Sequence, residues 1–302
     1  MSPVKYHEPV LLHECIAALN LKPNGIYADA TYGGGGHTKE ILNQLEKGKV
    51  IGFDQDEDAA QNAVADSRFT LVPDNFRNMQ SRLAQMNCIP LDGVLADLGI
   101  SSHQINEPSR GFSTRFDSAL DMRMDQNTTL TAASIINQYS EKDLVQVFSA
   151  YGEIRNAKTL ASAIIKNRNN KPIDTVDELK SAILKCVTYG KENQYYAQVF
   201  QALRIEVNDE LGALREWLQQ CPQLIRKGGR LVVIAYHSLE DRMIKNFIAT
   251  GNVDGDIKKD LYGNTLNISF TSLTRKPITA SPEELLLNSR SRSAKLRIAE
   301  RL

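Results

Sequence analysis

Apolar positions in the first hundred residues fall into short runs closed by turn residues: Ile26 to Ala30, Val50 to Asp54, Phe69 to Val72 and Val94 to Leu98. Runs of this length read as strands buried on both faces. The stretches between them, His37 to Leu45, Glu57 to Ala65 and Asn78 to Met86, have helical length. Strand and helix therefore alternate, which predicts an α/β fold with a doubly wound parallel sheet. The next strong strand, Arg230 to Ala235, starts 132 residues after Leu98. That gap is too long for a βα connection and predicts an inserted domain. Within it, from Glu141 to Ile183, Leu144, Val147, Phe148, Ile154, Leu160 and Ile164 recur at helical spacing. Val199 to Ile225 reads as one long helix with Leu203, Val207, Leu211, Leu214 and Leu218 on a stripe, stopped by Gly228 and Gly229. The expected division is a sheet domain from residues 1–105 and 195–302 around a helical insertion of 106–194. Two β-like segments, Asn267 to Leu273 and Ala294 to Ala299, close the chain.

Composition narrows the class. A chain of 302 residues has room for about two domains of about 150. Its 42% hydrophobic and 24% charged residues exclude disordered and fibrous classes. The longest apolar run, Leu231 to Tyr236, is six residues against the roughly 20 of a membrane span, so no membrane partner is expected. His7, Glu8, His13 and Glu14 interrupt any secretory apolar segment, which predicts a cytoplasmic location. The four cysteines come no closer than the 35 residues between Cys186 and Cys221, so reduced and mostly buried thiols are expected. The paired His-Glu steps at 7–8 and 13–14 do not put two imidazoles on one helical face, and no metal is expected.

Charge cancels overall, 36 Lys and Arg against 36 Asp and Glu, but not locally. From Arg275 onward seven basic residues meet Glu283, Glu284 and Glu300; between Glu153 and Lys171 five basic residues meet one acid. Each excess of +4 suits a polyanion or a solvated face.

Candidate chemistry gathers at the strand ends. The first strand runs into Asp29-Ala30-Thr31-Tyr32 and four glycines, Gly33 to Gly36, before a helix opening at His37. Glycines let the backbone approach a ligand, and a helix N-terminus offers free N–H donors. Dinucleotide, phosphate and adenosylmethionine sites all use such a turn. Asp54, ending the second strand, suits the ribose hydroxyls of an adenosine-containing cofactor, and Phe76 suits either an adenine ring or the core. The fourth strand runs into Asp97-Leu98-Gly99-Ile100-Ser101-Ser102-His103-Gln104. An exocyclic amine delocalises its lone pair into the base, so an acceptor must hold its hydrogens while nitrogen attacks. Asp97 fits that role, with Ser101 next on the same turn. Ser238 with Asp241 reads as a helix N-cap box at the carboxyl end of the fifth strand.

These blocks, with His7 to Leu12, Arg110 to Ser113, Leu120 to Met124, Ala202 to Ile205, Tyr236 to Arg242 and Ser289 to Arg297, resemble the bacterial small-subunit ribosomal RNA cytosine N4-methyltransferase family (MraW or RsmH) along nearly the whole chain. The resemblance implies a Rossmann-like methyltransferase sheet split by a helical insertion that recognises the substrate, with S-adenosylmethionine as cofactor. It implies cofactor contacts at Gly35, Gly36, His37, Asp54, Phe76, Asp97 and Gln104. Substrate contacts are expected at Asp121, Arg123, His237, Arg290, Arg292 and Arg297; Asp121 and Arg123 equally suit a surface pair. The implied partner is ribosomal RNA or the assembling small subunit, acted on by a monomer or a homodimer. His103 stands where the family has Pro, and Ser118-Ala119 where it has Gly-Pro. Two other classes stay open: a nucleotide-dependent oxidoreductase, for which no Tyr-Lys hydride set is identifiable, and a non-catalytic RNA-binding factor, against which the intact Asp97 motif stands.

Overall fold

The computed structural model describes residues 9–257 and 268–302. His7, Glu8 and Asn267 of the sequence reading lie outside the described residues. Along the chain, α1 (Leu12–Leu19), β1 (Ile26–Asp29), α2 (Gly36–Gln44), β2 (Lys49–Phe53), β3 (Phe69–Val72), α3 (Met79–Gln85) and β4 (Leu91–Asp97) alternate as expected. Six helices follow: α4 (Ser102–Asn106), α5 (Ala132–Gln138), α6 (Glu141–Ala150), α7 (Ala157–Arg168), α8 (Val176–Ile183) and α9 (Glu192–Asn208). The chain returns through α10 (Glu210–Leu224) to β5 (Ile225–Ala235), α11 (Ser238–Thr250), β6 (Phe270–Ser272), α12 (Pro282–Leu287) and β7 (Lys295–Arg301). No helix among the described residues is long and apolar enough to cross a membrane.

The strands form one sheet in the order β3-β2-β1-β4-β5-β7-β6. The first five are parallel, β7 runs antiparallel to β5, and β6 antiparallel to β7. Period-two alternation sends Ala28, Phe53, Val94, Ala96 and Val233 to one face, under Met79, Leu83, Trp217 and Phe247. Tyr27, Val50, Leu95, Val232 and Ile234 face the other way, under Cys15, Leu19, Ile41 and Leu42. Burial on both faces is why these strands appear in sequence as unbroken apolar runs.

Two compact units result, Met1–Gly99 with Leu211–Leu302, and Ile100–Glu210. The insertion is wider than 106–194 because α4 and all of α9 belong to it. Its core is self-contained, with Leu144, Phe148, Leu160, Leu179, Val199 and Leu203 among the residues that build it. Gly111, at φ +71°, brings its backbone so close to the 119–121 segment that a Cβ would meet the Ala119 oxygen at 2.3 Å. The neighbouring Arg110 guanidinium donates to the carbonyls of Arg123 and Met124. These contacts tie the Arg110 and Leu120 blocks to each other. Ala119 pairs with Thr175 in a β-bridge, so Ser118-Ala119 is held by main-chain bonds rather than by proline stiffness.

Three elements depart from expectation. Glu57–Asn62 is a 3-10 segment instead of an α-helix: Asp56 caps it at the Asp58 N–H, and Asn62 is turned away to accept from the Tyr32 hydroxyl at 2.6 Å. The long helix from Val199 is two helices, broken at Asp209 in the left-handed region (φ 46°) and bridged by the Arg204–Glu210 ion pair. Gly228 and Gly229 do not stop it, since β5 already begins at Ile225 and the pair sits in a bulge between Ile225 and Arg230.

Candidate active site

The order of strands reverses between β1 and β4, the switch point at which open α/β sheets bind ligands outside their carboxyl ends. Three adjacent strands, β2, β1 and β4, deliver an acid there: Asp54, Asp29 and Asp97. Thr31 ties two of them together. Its N–H donates to Asp29 Oδ1 at 3.2 Å and its hydroxyl accepts the Asp97 N–H at 2.6 Å. Thr38, in the first turn of α2, donates to Asp29 Oδ2 at 2.7 Å. Burial pushes all three carboxyls up to about 6, against hydrogen bonds that favour the anion. Ionising them gathers negative charge that burial and the neighbouring carboxylates resist, a setting that favours a cationic ligand.

The glycine turn wraps this cluster. Gly33 donates its N–H to Asp54 Oδ2 at 2.7 Å, and the Asp56 N–H reaches Oδ1 at 2.9 Å. Gly35 lies in the left-handed region, where a Cβ would meet the Tyr32 hydroxyl at 2.4 Å; on Gly36 it would meet Pro9 at 2.3 Å. Gly34 differs, because among the described residues nothing lies within 4 Å of a Cβ built there. Turn geometry and packing account for its neighbours, whereas Gly34 is exposed just before α2. His37 is buried, bonds the Val10 carbonyl through Nε2 at 3.1 Å, and has its pKa lowered by burial. Phe76 is half-buried with its ring edge-on to Trp217 at 5.7 Å, so it shares the core as well as the β3 end.

At the end of β5 the Tyr236 hydroxyl donates to Asp97 Oδ1 at 2.7 Å. The helix cap here falls one residue earlier than the sequence suggests: His237, not Ser238, caps α11, with Glu240 closing the box. Ser238 is already helical, which leaves the imidazole of His237 as the acceptor for the Glu240 N–H. Asp241 is not its box partner but pairs with Arg297 Nε at 2.6 Å and Lys295 at 3.4 Å, which hold its carboxyl below the usual range despite burial. Arg297, expected as a phosphate contact, is here engaged by Asp241 of α11. Arg290 is half-buried and Arg292 exposed, on the turn before β7. The C-terminal segment is the sheet strand β7.

Ser101 and Gln104 open the second unit. They cap α4 reciprocally, the Gln104 N–H to Ser101 Oγ at 3.2 Å and the Ser101 N–H to Gln104 Oε1 at 3.0 Å. Asp121 and Arg123 bind each other bidentately at 2.9 and 2.7 Å, and Arg123 also donates to the carbonyls of Gln126 and Thr128. Of the two readings open on sequence, this geometry displays the pair that holds a loop.

Sequence reasoning passed over Asp29, Thr31 and Tyr236 as site residues. The signal for the first two was their place between strand and glycine turn. For Tyr236 it was an aromatic ending the strand beside that of Asp97.

A reversed parallel sheet, a glycine turn with open space and acids on consecutive strand ends define a Rossmann-like, cofactor-binding class of enzyme. The chain belongs to the MraW methylase family, whose profile matches residues 4–302. It is 55% identical over 298 residues to a Cytophaga hutchinsonii protein named ribosomal RNA small subunit methyltransferase H, covering 98% of this chain and 99% of that one. Proteins of the same name from Amoebophilus asiaticus (53% identity, 98% of this chain, 96% of the relative) and Flavobacterium johnsoniae (49%, 99% of each) are similar along the same length.

Proposed function

We propose that the protein transfers a methyl group from S-adenosylmethionine to the N4 amine of a cytidine in small-subunit ribosomal RNA. What carries the reading is identity of about half, over essentially full length, to enzymes named for that RNA, joined to a half-buried carboxylate at the end of the fourth strand. The donor set suits the cofactor: backbone donors at the head of α2 and three carboxyls at neighbouring strand ends, which would favour its positive charge. When bound, the cofactor supplies an electrophilic methyl on a sulfonium. Asp54, which has lone pairs beyond those taken by Gly33 and Asp56, accepts from the ribose hydroxyls. Asp97 holds the amine hydrogens and takes the proton released as the N–C bond forms. Gly35, Gly36, His37 and Phe76 complete the cofactor contacts of the sheet unit, and Ser101 follows Asp97 along the chain. The cytidine must be unstacked to reach them. The test is mass mapping of ribosomal nucleosides from a strain lacking the protein, which should lose one N4-methylated cytidine; an unchanged pattern refutes the reading. Adenosylhomocysteine and not NAD should raise the melting midpoint.

The basic surface of the insertion supports an RNA partner. Arg155, Lys158 and Lys166 are exposed, whereas Arg168 donates to the Ile136 carbonyl and Lys171 pairs with Glu178. Phosphate contacts release counterions, so RNA affinity should fall linearly on a log–log salt plot. Replacing Arg155, Lys158 and Lys166 with Gln is expected to flatten that slope by up to about 3 and leave adenosylhomocysteine affinity alone. Arg290→Gln with Arg292→Gln tests the C-terminal turn without disturbing the Arg297–Asp241 pair. A wild-type slope in either variant removes that patch from the RNA contact.

A further inference from the structure

Asp97 is held asymmetrically. Its Oδ1 accepts the Tyr236 hydroxyl at 2.7 Å, while among the described residues no hydrogen bond reaches Oδ2. Tyr236 is itself anchored through its backbone and flanked by a glycine turn. Its backbone N–H donates to Glu240 Oε2 at 2.9 Å, which anchors it to the cap of α11. The turn after β4 closes on the ring at Gly99, where φ is +95° and a Cβ would lie 3.4 Å from Cδ2. A hydroxyl held this firmly to one oxygen sets the plane of the carboxylate and decides which oxygen faces outward.

We propose that Tyr236 is a positioning residue: by tying down Oδ1 it presents Oδ2 of Asp97 to the amine that is methylated. This rests on the role assigned to Asp97 above. Burial and the neighbouring Asp97 push the Tyr236 hydroxyl well above its ordinary range, so it remains a donor wherever the carboxylate is ionised. The groups acting on Asp97 are Tyr236 and His37, which favour the anion, and Asp29, Glu240 and Cys15, which share its sign when ionised. Losing the phenol therefore raises the proton affinity of Asp97 as well as freeing its rotation.

Tyr236→Phe deletes one oxygen and keeps the ring that packs on Gly99. Infrared difference titration of the protein without cofactor, with the Asp97 band identified by its loss in Asp97→Asn, should show the carboxyl midpoint moved upward by about one unit. Single-turnover methylation should fall about tenfold, with its acid limb moved the same way, and adenosylhomocysteine affinity should change less than the rate. A wild-type midpoint together with a wild-type acid limb overturns the proposal. Asp97→Asn separates the two levels: if it turns over normally, the role of Asp97 itself fails, and the positioning role with it. If Asp97→Asn is inactive while Tyr236→Phe titrates and reacts like wild type, only the positioning role is lost.

Discussion

Asp97→Asn should lower single-turnover methylation by about a hundredfold or more, the scale of losing a positioned proton acceptor, while the fold stays intact. The amide is nearly isosteric, can still accept from Tyr236, and carries neither charge nor basicity. Cofactor affinity should change less than the rate, and a near-wild-type rate would move the acceptor role elsewhere, with Ser101 next on the chain. The wild-type pH profile checks the same group. Burial raises Asp97 to about 6, the ionised form is the acceptor, and so the rate should climb as pH rises through about 6. Stability runs the other way. A carboxyl whose folded pKa is raised stabilises the fold fully below its unfolded value near 3.8 and loses that contribution as pH rises through about 6.

Asp54→Ala should weaken adenosylmethionine binding by about 1.5–3 kcal/mol, or roughly 10- to 150-fold, because it removes an ionised acceptor of ribose hydroxyls. Its two oxygens also hold the N–H groups of Gly33 and Asp56, so the alanine variant loosens the glycine turn from which the cofactor is approached. Asp54→Asn keeps one acceptor oxygen and should lose less. Titration calorimetry that finds wild-type affinity for the alanine variant would rule Asp54 out as a ribose ligand.

Strands, glycine turn and strand-end acids could be read from the sequence because each is a local pattern: an apolar run, four glycines, an acid where the run stops. What could not be read depends on partners far along the chain. Tyr236 looks like the last apolar residue of Leu231 to Tyr236 until β4 and β5 pair and set its hydroxyl on a carboxylate 139 positions away. Arg297 counts as surface charge until β7 brings it to Asp241, 56 positions earlier. The break at Asp209 interrupts a continuous hydrophobic stripe and shows only in the backbone, which an Asp can turn left-handed at modest cost.

The self-contained core of the helical unit bears on how the sheet assembles. Asp97 and Ile234 lie side by side in the central strand pair, yet the whole insertion separates them in sequence. Closing so long a loop from an unfolded chain carries an entropic cost that grows with its length. Helices joined by short connections form from local contacts and fold early relative to distant strand pairing. Once residues 100–210 have collapsed on their own core, the effective tether between β4 and β5 is short, and the long-range pairing becomes nearly local. The single tryptophan, Trp217, is packed under the sheet and not in the insertion, so its fluorescence follows the later of these two events.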